Sequence, residues 1–500
     1  MSFVLPEREL AWLDAVHVQD FPDKVYLVGG TTRDILLGRT RRDFDLVSAG
    51  DPRLLARRIA AHLHGAWFVL DEQRLTVRVV VPRLGKPERV IDVAAMQGGS
   101  IEADLRLRDF TINAIALDLR DRRRLIDPLG GQTDLRNKHL RLCSPQSIQD
   151  DPLRLLRGIR LAVELDFRIT PETLDDMRPH IAALARVSPE RIRDELFRML
   201  DNPNPAAAFR AMQTLGVLDA LMPELSCLPT QQQGPPHVWN VWDHTLAVLD
   251  HLEALLAVLA GEYPAEGAGS LWLGMAVGAL GRYRTHITDL LSQDLNSHRT
   301  RRALLFFAAL LHDVGKPDAF SQDERGVHFY RHAFISSQVA RDYGKRLALS
   351  NEETAHLACL TRQHMRIHFL VNAQRTLDRR VIYRFFRATG EAGVEICLLS
   401  LADTLATYGP TLTSENWQTE LDICRQLLEA WWLQREEVVA PQPLLNGHDL
   451  MTSFGVSPGP RLGALLHDLT EAQAAGEVGS RQQALEFARQ WLLDHPPEPA

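Results

Sequence analysis

The spacing of hydrophobic and polar positions changes character once along the chain, and early. Up to about residue 135 the apolar residues fall in short runs rich in β-branched side chains. "KVYLVGG", "DFDLVSA", "AWFVL", "LTVRVVV" and "RVIDVAAM" have the length and composition of strands, and some alternate. "AIALDLR" and "RLIDP" extend the same sheet. Between them "TTRDILLG" and "DPRLLARRIAAHL" space their apolar residues by three and four, which predicts helices. Beyond Leu140 the strand pattern almost vanishes. "DPLRLLRGIRLAVEL", "PETLDDMRPHIAALA" and "SPERIRDELFRML" predict helices whose starts are marked by first-turn proline and by Thr170 or Ser188 as caps. "CLPTQQQGPPHVWN" predicts a linker. The fold expected is α+β: a small mixed β-sheet head over 1–135, an all-helical neck over 136–230, a helical bundle over 235–410 and a helical tail over 411–500.

Length and composition agree with several domains of a globular protein: 500 residues exceed one ordinary core. The formal net charge is −8, so any polyanion needs a local basic patch, for which "RDRRRLIDP", "RNKHLRL" and "RRVIYRFFR" are the candidates. The five cysteines are scattered without a CxxC pair, which argues against a disulfide framework or a cysteine zinc site and for a reducing compartment. The N-terminal stretch lacks the basic and apolar regions of a secretory signal. "LWLGMAVGAL" and "ALLFFAALL" are too short to span a bilayer and predict buried helices, so no membrane partner and a cytoplasmic location are expected.

The first candidate chemistry is "DFD". Asp43 and Asp45 are two apart on a predicted strand and so share a face, while Phe44 and Leu46 point to the other. Two carboxylates held together call for a cation, and Mg2+ bound by carboxylates plus phosphates suits them. Gly29 and Gly30 end one strand and open a helix, where backbone and helix N-terminus favour phosphate; Arg33 adds a cation, with Arg41 and Arg42 close by in sequence. These parts describe a nucleoside triphosphate held for attack at its α-phosphate.

With these residues in view, "LVGGTTRDILLGRTRRDFDLV", "RDFTINAIAL", "DPLGGQTDLRNKHLR", "DDPLRLLRGIR" and "SPERIRDEL" resemble, in order, the motifs of the class II tRNA nucleotidyltransferase and bacterial poly(A) polymerase family. The resemblance implies that Asp43 and Asp45 hold the catalytic metals, that Asp109 and Asn113 contact the nucleotide sugar, and that Arg108 lies near the phosphates. Thr31-Thr32, Leu107 and Asp150 depart from the family pattern.

Asp151 and Arg154 are one helical turn apart, with Arg157 a further turn along. A carboxylate accepts from an exocyclic amine and a guanidinium donates to a ring acceptor, so such a pair accepts cytosine and adenine and mismatches uracil and guanine. In the family the corresponding pair reads the base, which implies CTP and ATP as substrates and tRNA as the partner. An ordinary surface ion pair is the alternative reading of the pair.

The second candidate chemistry lies in the bundle. His-Asp occurs at His312, His448 and His467, but only His312-Asp313 ends a strongly apolar helix, before a Gly-Lys-Pro break. His244, His332, His364 and Asp403 lie on neighbouring predicted helices, and His and Asp donors converging in a bundle suit a divalent transition metal. This block resembles the HD phosphohydrolase superfamily. The resemblance implies one metal (Ni, Mn, Co or Fe) on His244, His312, Asp313 and Asp403, a second metal or a phosphate at His332 and His364, and oxyanion neutralisation by Lys316. It also implies 2′,3′-cyclic phosphodiesterase or phosphatase activity.

The sequence thus points to template-independent addition of C and/or A to tRNA 3′ ends, with an HD metal domain. The stretch after the catalytic strands, "DVAAMQGGSIEADLRLRDF", is short and Gly-rich where complete CCA enzymes have a flexible loop. CC addition, A addition and poly(A) synthesis stay open for that reason. So do an HD hydrolase with an RNA-binding head and a scaffold without catalysis. Oligomeric state is not legible.

Overall fold

The computed structural model describes residues 7–39, 43–83, 86–122, 124–262, 270–296, 299–324, 326–373 and 377–496. Arg41, Arg42 and Arg123 lie outside them. The chain divides into two compact units, residues 1–195 with 214–221 and residues 196–213 with 222–500.

The first unit is built on a seven-stranded mixed sheet: β1 Val25–Leu27, β2 Asp43–Ser48, β3 Ala66–Asp71, β4 Thr76–Arg83, β5 Lys86–Ala95, β6 Ala116–Asp118 and β7 Leu125–Ile126. Their spatial order is β3-β4-β5-β2-β1-β6-β7. β2 and β5 run parallel and the other neighbours antiparallel. Every strand expected from the sequence is present. One face is closed by helices Glu7–Ala15 and Pro52–Leu63, whose Leu10, Leu13, Leu55 and Ile59 bury Phe44, Leu46, Val77, Val79, Ile91 and Val93. The second of these helices starts sharply because Pro52 opens it and the Asp51 carboxylate accepts from the Arg53 N–H. The opposite face carries Asp43, Asp45, Arg78 and Asp92 and is open there, while its β1–β6 side is closed by Tyr26, Val28, Val47 and Ala116 packed with Ile101 and Leu105. Helix Leu153–Leu165 buries Leu155, Leu156 and Ile159 and leaves Arg154 and Arg157 on its other side.

The second unit is almost entirely helical. Helix Arg301–Leu311 is apolar on all sides and buried except at Arg302, as expected of "ALLFFAALL". "LWLGMAVGAL" departs from expectation: helix Leu271–Leu280 buries only Leu273, Ala276 and Leu280, and Leu271 is exposed. Its apolar ring is wider than the single face its neighbours cover. No helix among the described residues is long and apolar enough to cross a membrane. The local pattern did not reveal an antiparallel hairpin, Phe320–Asp323 with Gly326–Phe329, set between helices. A tail cluster around Leu450, Leu465, Leu469 and Trp491 closes the chain.

Candidate active site and metal centre

The head cleft encloses about 470 Å³ between the open face of the sheet and helix Leu153–Leu165. Asp43 is exposed and Asp45 half-buried, on one face of β2, while Phe44 and Leu46 are buried on the other. Gly29 makes the approach possible. Its φ is +67°, and a Cβ there would lie 2.9 Å from Asp45 Oδ2 and 3.3 Å from an Arg108 nitrogen. Gly30 is not under that constraint, since a Cβ would meet only the Arg33 guanidinium at 3.6 Å. Arg108 is held by Asp104, with Nη2–Oδ2 at 3.0 Å. Asp109 accepts from Asn113 Nδ2 at 3.0 Å and from the Phe110 N–H at 2.7 Å, and faces Arg157 Nε at 2.7 Å. Burial pushes the Asp109 carboxyl upward, but Arg157 and these donors outweigh it and hold it below the usual range.

Two expectations change in the fold. Arg33 does not face the cleft. It is buried, paired with Asp34 at 2.8 Å and donating to Asn113 Oδ1 at 2.8 Å, so it positions Asn113 instead of meeting phosphate. Asp151 and Arg154 both line the cleft, but among the described contacts they meet only through the backbone, the Arg154 N–H donating to the Asp151 carbonyl at 3.0 Å, and their side chains take other partners. Pro152 begins the helix, so Asp151 sits outside it in extended conformation and bonds Arg191 at 2.7 Å. Arg154 donates to Ser147 Oγ at 2.6 Å and to the Leu107 carbonyl at 3.1 Å. Arg191 and Asp92, with Leu70 and Arg74, are among the cleft residues that sequence reasoning missed. Asp92 stands in register beside Asp45 and is bound by Arg78 with both contacts at 2.8 Å. The alternation of "RVIDVAAM" carried that signal. The basic patches are largely neutralised internally: Lys138 by Asp166, Arg141 by Asp134, Arg379 by Glu437, Arg380 by Glu477 and Arg384 by Glu471.

The bundle centre is of another kind. His244, His312, Asp313, His332, His364 and Asp403 converge from five helices or helix ends, and all are buried. Asp313 lies in the middle. Its Oδ2 faces His312 Nε2 at 3.2 Å and His244 Nε2 at 3.6 Å; its Oδ1 faces His332 Nε2 at 3.4 Å and His364 Nε2 at 3.8 Å. Asp403 Oδ1 lies 3.0 Å from His244 Nε2. Gly315 lets the elements close, because a Cβ would strike the His332 carbonyl at 2.6 Å.

The histidine tautomers are fixed by the backbone. His312, His332 and His364 place Nδ1 at 2.7–2.8 Å from the carbonyls of Ala309, Phe329 and Thr361, contacts that need a protonated Nδ1. In the neutral ring each Nε2 then carries a lone pair. Those of His332 and His364 lie 3.3 Å apart, which is repulsive without a cation between them. The Nε2 atoms of His244 and His312 have no aligned hydrogen-bond partner despite their short contacts to carboxylate. Burial pushes His364 down to about 3 and His244 and His332 downward. It would raise Asp313 and Asp403, but His312 and Lys316 around the one, and His244 and His368 around the other, hold both well below the usual range. Burial also pushes His312 down, but the Asp313 and Asp403 carboxylates outweigh it and hold His312 above the usual range. Neutral His244, His332 and His364 and ionised Asp313 and Asp403 are the protonation states a divalent cation requires, and a cation would take the place of the His312 proton between these carboxylates, so the donor set fits a metal. Two groups of donors meet that description, His244–His312–Asp313 and Asp313–His332–His364, with Asp313 shared.

Of the supporting residues, His368, Gln233 and His237 were missed, while Lys316, expected to neutralise an oxyanion, pairs with Asp313. His368 Nε2 holds Asp403 Oδ2 at 2.9 Å. Lys316 Nζ lies 2.6 Å from Asp313 Oδ2 and 2.5 Å from Gln233 Oε1. The supposed linker thus folds onto the centre: Gln233 binds Lys316, and His237 stacks edge-on to His244 and lines the adjoining cavity of about 720 Å³.

A glycine turn and paired carboxylates on a mixed sheet, carried on the same chain as a His/Asp helical bundle, define a class: a nucleotidyltransferase head with an HD-type domain. Family models agree, with the poly(A) polymerase head domain matching residues 25–141, the HD domain 241–408 and a tRNA nucleotidyltransferase domain 329–488. The chain is 34% identical to the A-adding tRNA nucleotidyltransferase of Deinococcus radiodurans, over 95% of this chain and 97% of that one. It is 33% identical to the CC-adding tRNA nucleotidyltransferase of Geobacter sulfurreducens, over 94% and 93%. The fold is that of a solved CCA-adding enzyme in apo form, with a TM-score of 0.60, 20% identity, and 100% of this chain and 97% of that one covered. The chain belongs to the tRNA nucleotidyltransferase and poly(A) polymerase family, and it is an enzyme.

Proposed function

We propose that this enzyme adds C or A to the 3′ end of tRNA without a template, at Asp43 and Asp45. The observation that carries the reading is the same-face carboxylate pair against which Gly29 brings backbone and Arg108. Mg2+ bound there would neutralise the triphosphate and lower the pKa of the attacking 3′-hydroxyl. Arg108 would meet phosphate. Asp109, oriented by Asn113 and Arg157, would meet the sugar. Asp151, Arg154 and Arg157 would read the base edge once Asp151 exchanges Arg191 for the base amine. The head spans 1–135, the neck 136–230, the HD bundle 235–410 and the tail 411–500, and the enzyme works in the cytoplasm.

Addition of part of CCA is favoured over the whole. Only Met96–Ser100 joins β5 to helix Ile101–Arg106, where complete enzymes have a flexible loop. Four relatives that match over nearly their whole length are named as A-adding (one) or CC-adding (three). The test is to supply each NTP singly to tRNAs ending before, within and after CCA and to sequence the ends. Extension by CTP alone or ATP alone, on one class of end, is expected. Completion of CCA from a bare end, or equal use of UTP and GTP, contradicts the reading.

The facing Nε2 lone pairs favour a second activity, metal-dependent phosphohydrolysis at the HD centre, with 2′,3′-cyclic phosphates as substrates. His244, His312, Asp313 and Asp403 would hold one transition-metal ion, and Asp313, His332 and His364 a second.

A further inference from the structure

The open face of the head sheet continues past the carboxylates to the edge strand β3. Register carries one row of side chains across four strands: Asp45 on β2 beside Asp92 on β5, Asp92 opposite Arg78 on β4, and Arg78 opposite Phe68 on β3. Residues paired in register project to the same face, so Phe68 stands on the face of Asp43 and Asp45. At the usual strand spacing it lies three strands, roughly 14 Å, from Asp45. Leu70, next to an irregularity in the pairing with β4, lines the head cleft itself. β3 is the edge strand, yet Phe68 is 48% and Leu70 47% exposed. Edge strands ordinarily avoid such residues.

The two flanks of the carboxylates differ in chemistry. On the β1 side stand Gly29, Arg108, Asp109, Arg154 and Arg157, donors and acceptors suited to a triphosphate, a sugar and a base edge. On the β3 side stand an aromatic ring, an aliphatic side chain and the guanidiniums of Arg78 and the exposed Arg74, which also lines the cleft. A transfer between a triphosphate and a hydroxyl needs its second reactant on the flank that the first leaves open.

We propose that Phe68 and Leu70 form a stacking platform for the last bases of the single-stranded 3′ end of the acceptor RNA, with Arg74 meeting its backbone phosphate. The proposal rests on the reading of the head as the nucleotide-adding site. Stacking on an aromatic face tolerates any base. That tolerance suits an end whose terminal base changes as nucleotides are added. The platform is continuous with the cleft through Leu70, and the exposed Arg74 complements RNA.

The test uses the full chain and a tRNA carrying 2-aminopurine as its 3′-terminal base. Titration without NTP should quench the fluorophore with wild type. Phe68→Ala should lose the quench and weaken the RNA KM by about 5- to 150-fold, the range for loss of one base–aromatic stack. NTP binding measured without RNA should be unchanged, and Phe68→Trp should restore both signals. Leu70→Ala should act in the same direction, less strongly. Phe68→Ala that keeps the quench and the RNA KM would overturn the platform. So would a variant that changes only the oligomeric state, which would make β3 an interface between copies of the chain. Failure of wild type to incorporate any NTP would strike the reading of the head instead, while a quench lost in Phe68→Ala would still stand for the platform.

Discussion

The head cleft and the bundle centre both assemble carboxylates, but their charges are arranged in opposite ways. In the cleft Asp43 is exposed, and Asp92, Asp109 and Asp151 are each answered by an arginine. In the centre the donors are buried, and imidazole lone pairs face one another and a shared carboxylate. The first arrangement is stable without an ion and leaves room for a metal that arrives with its triphosphate. The second is strained unless a cation is resident. A cleft that must open to two substrates cannot bury its charges, whereas a hydrolytic centre can be preassembled.

The largest effect should come from the carboxylate pair. Asp43→Asn with Asp45→Asn should lower nucleotide addition at least about a thousandfold, the several kcal/mol a catalytic metal supplies. Single-turnover incorporation checks this, and hydrolysis at the bundle should be untouched. A folded double variant that adds nucleotides normally would break the contrast at its first term.

Next in size, Asp313→Asn should remove the ligand shared by both donor groups. Elemental analysis should show transition metal lost, 2′,3′-cyclic phosphate hydrolysis should disappear, and CTP or ATP addition should persist within about twofold, since the two sites share no residue or partner. His312→Ala should lose part of the metal, because Asp313, His332 and His364 remain.

Base selection should respond more modestly. Each hydrogen bond to a charged group contributes about 1.5–3 kcal/mol. Arg154→Ala should therefore lower CTP-over-UTP and ATP-over-GTP preference by roughly one to two orders of magnitude per bond lost. Arg154 also ties the Leu107 carbonyl, so the NTP KM should rise as well. Rates scaled equally for all four NTPs would make the residue structural.

The sequence pattern exposed what is local. The strand period of residues 25–126 and the two-residue step of "DFD" were legible because each depends only on neighbours in the chain. So was the apolar helix ending in His312-Asp313. Pairings over long distances were not legible. Nothing local says that Arg33 turns inward to Asn113, 80 positions on, or that Asp151 takes Arg191 instead of Arg154. The Gln/Pro segment has the composition of a linker, yet Gln233 and His237 pack against a centre built from residues far along the chain. His368 was hidden because it touches Asp403 and not the shared carboxylate.

The smallest effect concerns stability and pH. Asp109 titrates below its ordinary value near 3.8 because Arg157 and the Asn113 and Phe110 donors favour its charged form against burial. Its folded pKa is depressed, so its contribution is present above about pH 4 and is lost as pH falls through the lowered value. Arg157 is 43% exposed, which weakens the pair. Asp109→Asn should then cost about 1 kcal/mol at pH 7, and the gap to wild type in urea unfolding should narrow below pH 3.8. A gap constant with pH would assign the loss to packing.

The contrast between the two sites is tested most directly by the metal content of the protein after exhaustive dialysis. Wild type should retain transition metal at the bundle and no tightly held magnesium at the head. Asp43→Asn with Asp45→Asn should retain the same transition metal, and added CTP or ATP should draw Mg2+ into the wild-type head only. A wild-type chain that holds no transition metal, or one whose resident ion is lost with the head carboxylates, would contradict it.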